Sequence, residues 1–246
     1  MRPTQLLSLL VLLVPFSAPV GASHVQLRQI TPQEPEALPK RSPELVVLLH
    51  GLGRTSYSMV PLREALEKAG YDVLNIGYSS TCCGIAELGE RVRSQVAAER
   101  GSHTRIHFVG HSLGAIIARS ILSDSSAVPG AGRLVMLAPP NQGSKSADFF
   151  APVAGWLLEP MAELRTDSTS TVRRMPSAKG IEIGVIAARD DGKVSMEDTH
   201  LPNETAHVVV DGYHTFIMRR ADVHQLTIHF LREGKFVMPF PATVNR

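Results

Sequence analysis

From Leu45 onward the chain alternates between short, almost wholly apolar runs and longer segments whose apolar positions recur at helical spacing. "ELVVLLHGLG" predicts a buried strand from Leu45 to Leu49 running into a glycine loop, and "PLREALEKAG" a helix with Pro61 in its first turn and Gly70 at its end. "YDVLNIGY" reads as the next strand, and "IAELGERVRSQVAAER" as an amphipathic helix with Leu88, Val92 and Val96 on one face. "RIHFVG" places Ile106, Phe108 and Val109 in a third strand, and "AIIARSIL" sets Ala115, Ile116, Ala118 and Ile121 at helical spacing. Further strands are read in "RLVMLAPP", "IEIGVIAA" and "HVVV", before a closing helix from about Ala221 to Leu231. Strands that are apolar along their whole length and alternate with helices imply the α/β class, with a mainly parallel sheet covered on both faces. In such sheets ligands bind at the carboxyl ends of the strands, where the loops carrying His50, Ser112, Asp191 and His214 fall.

A chain of 246 residues fits one large α/β domain, read here as 44–246. Residues 1–22 have a positive start at Arg2, an apolar run from Leu6 to Phe16 and small residues ending at Ala22, the pattern of a secretory signal peptide. That run is too short to span a bilayer comfortably, so cleavage after Ala22 and an exported, periplasmic or secreted product are expected. Residues 23–43, rich in Pro and Gln, read as an extended lead-in. The net charge is only +2 and the basic residues form no dense block, which sets nucleic-acid binding aside. The two cysteines, Cys82 and Cys83, are adjacent. Neighbouring Cα atoms lie about 3.8 Å apart, below the usual disulfide range, so two separate thiols are expected.

The longest interruption of the strand–helix alternation is 141–179. Within it "ADFFAPVAGWLLEPMAEL" carries Phe149, Phe150, Trp156, Leu157 and Leu158. A small cap over an acyl site and an ordinary crossover helix both fit this pattern; a cap would bring transient contact with a lipid surface.

Candidate chemistry centres on "GHSLG" at 110–114, between the third strand and its helix. Gly110 and Gly114 remove side chains where strand and helix approach closely, and the sharp turn holds the Ser112 hydroxyl clear of the sheet. The backbone N–H of Leu113 then opens a helix N-terminus, where an unpaired donor can receive an oxyanion. A serine nucleophile needs an imidazole base and a carboxylate behind it. Of the ten histidines, His107 falls in a strand, His111 within the turn itself, and His224 and His229 on the last helix. His214, in the loop "DGYHTFIM" after the last strand, is the preferred base, with His207 and His200 as alternatives. The tight "DGK" turn after "IGVIAA" favours Asp191 over Asp190 as the acid. A second oxyanion donor is expected from Leu52 in "HGLGR", where His50 and Gly51 make the turn; His50 reads as structural, bonding loop backbone, with a direct catalytic role as the alternative.

Taken together, "LLHGLGR", "VGHSLG", "LAPPNQGS", "DDGKVS" and "GYHTFIM" resemble the α/β-hydrolase superfamily, and within it the bacterial esterase and lipase group related to triacylglycerol lipases. The resemblance implies the α/β-hydrolase fold, the chain order Ser112, Asp191, His214, and hydrolysis of carboxylic esters through an acyl-enzyme. It places "DGKVS" on the acid and "APPNQGS" near the mouth of the site. The short crossover after Pro140 departs from the large lids of many true lipases, which argues against long-chain triglycerides. The expected partner is a small-molecule or lipid ester. With no H-E-x-x-H and no zinc spacing at the cysteines, no metal or cofactor is expected. Amidase, thioesterase or acyltransferase chemistry would use the same triad, and a non-catalytic envelope binding protein would be expected to have lost one of its members.

Overall fold

The computed structural model describes residues 43–124, 126–148 and 159–237. Six strands form one parallel sheet: β1 (Glu44–Leu49), β2 (Asp72–Ile76), β3 (Arg105–His111), β4 (Ala131–Leu137), β5 (Ile183–Ala188) and β6 (Ala206–Val210), in the order β2-β1-β3-β4-β5-β6. The four main helices are α1 (Val60–Lys68), α2 (Ile85–Glu99), α3 (Leu113–Leu122) and α4 (Ala221–Glu233). Every strand and main helix read from the sequence is present, with ends shifted by a few residues. Short 3-10 turns at Ser56–Met59, Glu197–Thr199 and His214–Arg219 were not foreseen. They carry no apolar period long enough to read.

The near-continuous apolar strands are explained by burial on both faces. Val47, Leu49, Phe108 and Met136 point into a core shared with α2 and α3, where Leu88, Val92 and Ile116 are buried. Val46, Leu48, Val109 and Val135 point the other way, onto Leu62 and Leu66 of α1 and Leu226 and Phe230 of α4. Gly234, in the left-handed region at φ 69°, ends α4 two residues beyond the expected stop.

One correction concerns the cysteines: Cys82 and Cys83 are joined as a disulfide. Along a strand, successive side chains point to opposite faces and could not meet. This pair lies instead in the bend between β2 and α2, which turns both sulfurs to the same side. Residues 1–42, with the expected signal peptide and lead-in, and 149–158, the centre of the cap or crossover segment, lie outside the described residues. Among the described residues no helix is long and apolar enough to cross a membrane.

Two buried positions, one in α3 and one in β3, set testable limits. Gly114 packs so closely on β1 that an added Cβ would run into the carbonyls of Leu49 and His50. Gly114→Ala is therefore expected to lower stability by at least about 2 kcal/mol, read from the urea midpoint. His107 lies where the β3–β4 register shifts, and its Nδ1 accepts the Arg133 N–H at 2.9 Å. Burial, helped by Arg105 and Arg133, depresses its pKa from 6.5 to about 4; the Glu44 carboxylate, 3.7 Å from Nε2, does not offset this. The unfolded chain thus binds the proton more readily between these values. Stability present above pH 6.5 is lost as pH falls toward 4, by an amount of order 3 kcal/mol, and His107→Gln should flatten that slope in urea unfolding at stepped pH.

Candidate active site

The strand-to-helix turn after β3 holds Ser112 at φ 54°, ψ −121°, a conformation uncommon for a residue with a side chain. It is fixed from both sides. The Ser112 N–H donates to the Leu137 carbonyl at the end of β4 (2.9 Å), and its own carbonyl accepts from the Ala115 N–H (3.0 Å). Gly110 faces the backbone of Ala115 with no room for a Cβ. The hydroxyl is left free to point away from the sheet.

His214 opens the short turn that follows β6, and its Nε2 lies 3.0 Å from Ser112 Oγ. On the other side of the ring, Nδ1 lies 2.7 Å from Asp191 Oδ2. With Nδ1–H donating to the carboxylate, Nε2 carries a lone pair that can accept the Ser112 O–H hydrogen bond. Asp191 is oriented by its own loop: Oδ1 accepts the N–H groups of Lys193 (2.8 Å) and Val194 (2.9 Å). Both side chains are almost fully buried, at 7% and 3% exposure, so the pair is shielded from water. The alternatives lie elsewhere. Asp190 is exposed, His200 Nδ1 bonds Glu204 (2.6 Å), and His207 Nε2 bonds Thr199 (2.9 Å).

His111 sits behind His214, its Nε2–H donating to the His214 carbonyl at 2.9 Å. Burial, with the neighbouring His214 ring, holds its pKa well below 6.5, so it stays neutral and adds no charge beside His214.

The loop after β1 packs on this turn. A Cβ at Gly51 would lie 2.9 Å from the His111 ring, so glycine is what lets the two loops touch. His50 bonds loop backbone as expected, Nδ1–H donating to the Gly51 carbonyl at 3.0 Å. Among the described residues neither the Leu52 nor the Leu113 N–H has an acceptor, the state expected of donors reserved for an oxyanion. Gly51, Leu52, Ser112 and His214 line a cavity of about 240 Å³, walled further by Ala147, Met161 and Leu164 from the flanks of the crossover segment.

A family model described as "Alpha/beta hydrolase family" matches residues 46–225. The chain belongs to the alpha/beta hydrolase family. No curated protein sequence matches it. Among solved structures, the propeptide form of a Bacillus licheniformis lipase superposes with a TM-score of 0.63 at 18% identity, over 76% of this chain and 49% of that one. The chain thus spans about half the length of that form. The mature form of the same lipase gives 0.61 at 17%, covering 82% and 96% of the two chains. A monoacylglycerol lipase from Paleococcus ferrophilus gives 0.56 at 14%, covering 78% and 95%. At these identities the likeness is one of fold.

Some supports of this alpha/beta hydrolase's site have contacts that the sequence does not assign, even where the segment, as with "APPNQGS", is placed near the site by resemblance. Tyr78 stacks on the His50 ring (centroids 4.1 Å apart), and its hydroxyl donates to the His50 carbonyl. Burial pushes that phenol's pKa upward, so it remains a donor. Arg119, lowered by burial to about 10, donates to the Asn141 carbonyl (3.2 Å) and bonds its side chain (3.3 Å); Asn141 Nδ2 in turn donates to the Thr199 carbonyl (2.7 Å). Ser144 Oγ bonds the Lys193 carbonyl at 2.8 Å, so "PPNQGS" braces the loop of Asp191. These pairings are 22 to 58 residues apart and appear only on folding.

Two measurements follow. Asp191→Asn is expected to slow fluorophosphonate labelling of Ser112 by at least about 100-fold, whereas Asp190→Asn should stay within about threefold, as read by timed intact-mass spectra. Tyr78→Phe leaves a buried carbonyl without its donor and should lower stability by about 1–2 kcal/mol in urea unfolding.

Proposed function

We propose that this protein is a serine hydrolase of carboxylic esters. The observation that carries this reading is the continuous hydrogen-bonded chain Asp191–His214–Ser112, with the serine held at positive φ on the wall of a partly open cavity. In the proposed mechanism His214 Nε2 takes the Ser112 proton as Oγ attacks the ester carbonyl. The Leu52 and Leu113 N–H groups receive the oxyanion, and Asp191 stabilises the imidazolium. The tetrahedral intermediate collapses to an acyl-serine, and His214 passes its proton to the leaving alcohol. A water deprotonated by the same ring then attacks the acyl group, releasing the acid and restoring the serine.

Ligand pockets for drug-sized molecules run to roughly 300–1,000 Å³, so a cavity of about 240 Å³ supports short acyl chains. The lipase names of the structural neighbours agree with ester chemistry in general. Export belongs to the same proposal. It is supported by the apolar run from Leu6 to Phe16 and by the Cys82–Cys83 disulfide, a bond that persists in oxidising compartments.

Initial rates on p-nitrophenyl esters from acetate to palmitate, with Ser112→Ala alongside, test the activity. Serine-dependent rates that are highest at short chains are expected, with Ser112→Ala reduced by at least about 1,000-fold while its far-UV circular dichroism is unchanged. Substantial hydrolysis by the mutant would sink the assignment. Matched thioester and amide substrates separate the ester reading from thioesterase or amidase action. N-terminal sequencing of the exported protein checks cleavage after Ala22.

A further inference from the structure

We propose that the pocket selects esters bearing an anionic group, a carboxylate or a phosphate, held between Arg54 and Lys193. This deepens the esterase reading above and rests on it. Both cations line the cavity beside Ser112, and no Asp or Glu side chain is among the described residues that line it. Elsewhere arginines are commonly engaged, as in Arg133 with Glu182 (2.6 Å), Arg189 with Asp211 (2.8 Å) and Arg220 with Asp222 (2.7 Å). Among the described residues, neither Arg54 nor Lys193 has a carboxylate partner or a side-chain hydrogen bond. Arg54 is moreover half-buried, and a guanidinium drawn partly out of water without a partner gains most from a planar oxyanion that it can grip with two N–H groups.

The fold accounts for the arrangement. Arg54 lies two residues beyond Leu52 in the loop after β1, and Lys193 two residues beyond Asp191 in the loop after β5. In the sheet order, β3 and its Ser112 stand between those strands, so the loops that carry the two cations flank the serine, and both residues line the same cavity. Neither loop is loose. The Arg54 N–H donates to the Gly51 carbonyl (3.2 Å), the Gly53 N–H to Ser80 Oγ (2.9 Å), and the Lys193 carbonyl accepts Ser144 Oγ–H (2.8 Å). Both charges act on the interior of the site, since each adds to the lowering of the His111 pKa. The apolar wall of Met161 and Leu164 leaves room for the hydrocarbon part, so the expected substrate is a small anionic amphiphile. Its charge sits on the acyl half, as in a dicarboxylate monoester, or on the alcohol half, as in an acylated glycerol phosphate.

The test compares kcat/KM within two matched pairs by pH-stat: monomethyl adipate against methyl hexanoate, and 1-butyrylglycerol 3-phosphate against 1-butyrylglycerol. In about 20 mM salt the anionic member of at least one pair should be favoured by about tenfold or more, and the pair concerned identifies which half carries the charge. The preference should shrink toward unity in about 0.5 M salt and in the double variant Arg54→Gln/Lys193→Gln. Charge reversal by Arg54→Glu/Lys193→Glu should turn the enzyme against anionic esters. Equal rates within both pairs, or a double variant that loses both members of a pair equally, would overturn the proposal. Calorimetric titration of hexyl phosphate into the Ser112→Ala protein separates this outcome from failure of the esterase reading, because it needs no turnover. Binding weakened by about tenfold or more in the double variant supports the anion site, and no binding overturns it.

Discussion

The close approach of β3, α3 and the loop after β1 at Ser112 is the constraint on which the site depends. The serine occupies a backbone region that favours glycine, at φ 54°, and holds it because β3, α3 and the loop after β1 leave nowhere else to go. Gly110 and Gly114 let the strand and helix close on each other, and Gly51 lets the loop after β1 rest on the His111 ring. Such local strain persists only where surrounding packing over-determines it. Here that packing is a parallel sheet buried on both faces, whose central strand carries the turn.

The groups proposed to act on the ester are held by backbone bonds as much as by their own side chains. Asp191 is aimed by the Lys193 and Val194 amides, and His214 is anchored through its carbonyl by His111. The loop of Leu52 is tied down by Tyr78 and Ser80 from the segment after β2. Buried neutral groups surround the ion pair that would form during turnover: His111 stays uncharged, and Tyr78 stays a donor, in each case because burial disfavours the charged form. Arg54 and Lys193, which line the same cavity, are the exception to this neutrality and carry the proposed preference for anionic esters.

Much of this was legible in the chain. An apolar run ending in a glycine turn and followed by helical spacing, as at "RIHFVGHSLGAIIARSIL", can be read locally because strand burial and helix amphipathicity are local periodicities. The candidate carboxylate and imidazole were chosen by position, each just after a strand, since a parallel sheet brings all such loops to one end, and Asp191, His214 and Ser112 do meet there. The cysteines misled because the distance rule holds for them, while the bend that turns both sulfurs to one side is not encoded in the two residues themselves.

The sequence by itself thus determined the elements, their parallel arrangement and the residue types at the strand ends, because these follow from short-range patterns of burial and turn chemistry. Only the tertiary structure decided the strand order β2-β1-β3-β4-β5-β6, the burial of Asp191 against His214 with Asp190 left exposed, and the contacts of Tyr78, Arg119 and Ser144. Asp190 and Asp191 are adjacent and chemically alike, and one is exposed while the other is buried against an imidazole 23 residues away. The "DGK" turn favours Asp191, but the difference in burial is made by long-range packing, because the imidazole comes from a distant loop.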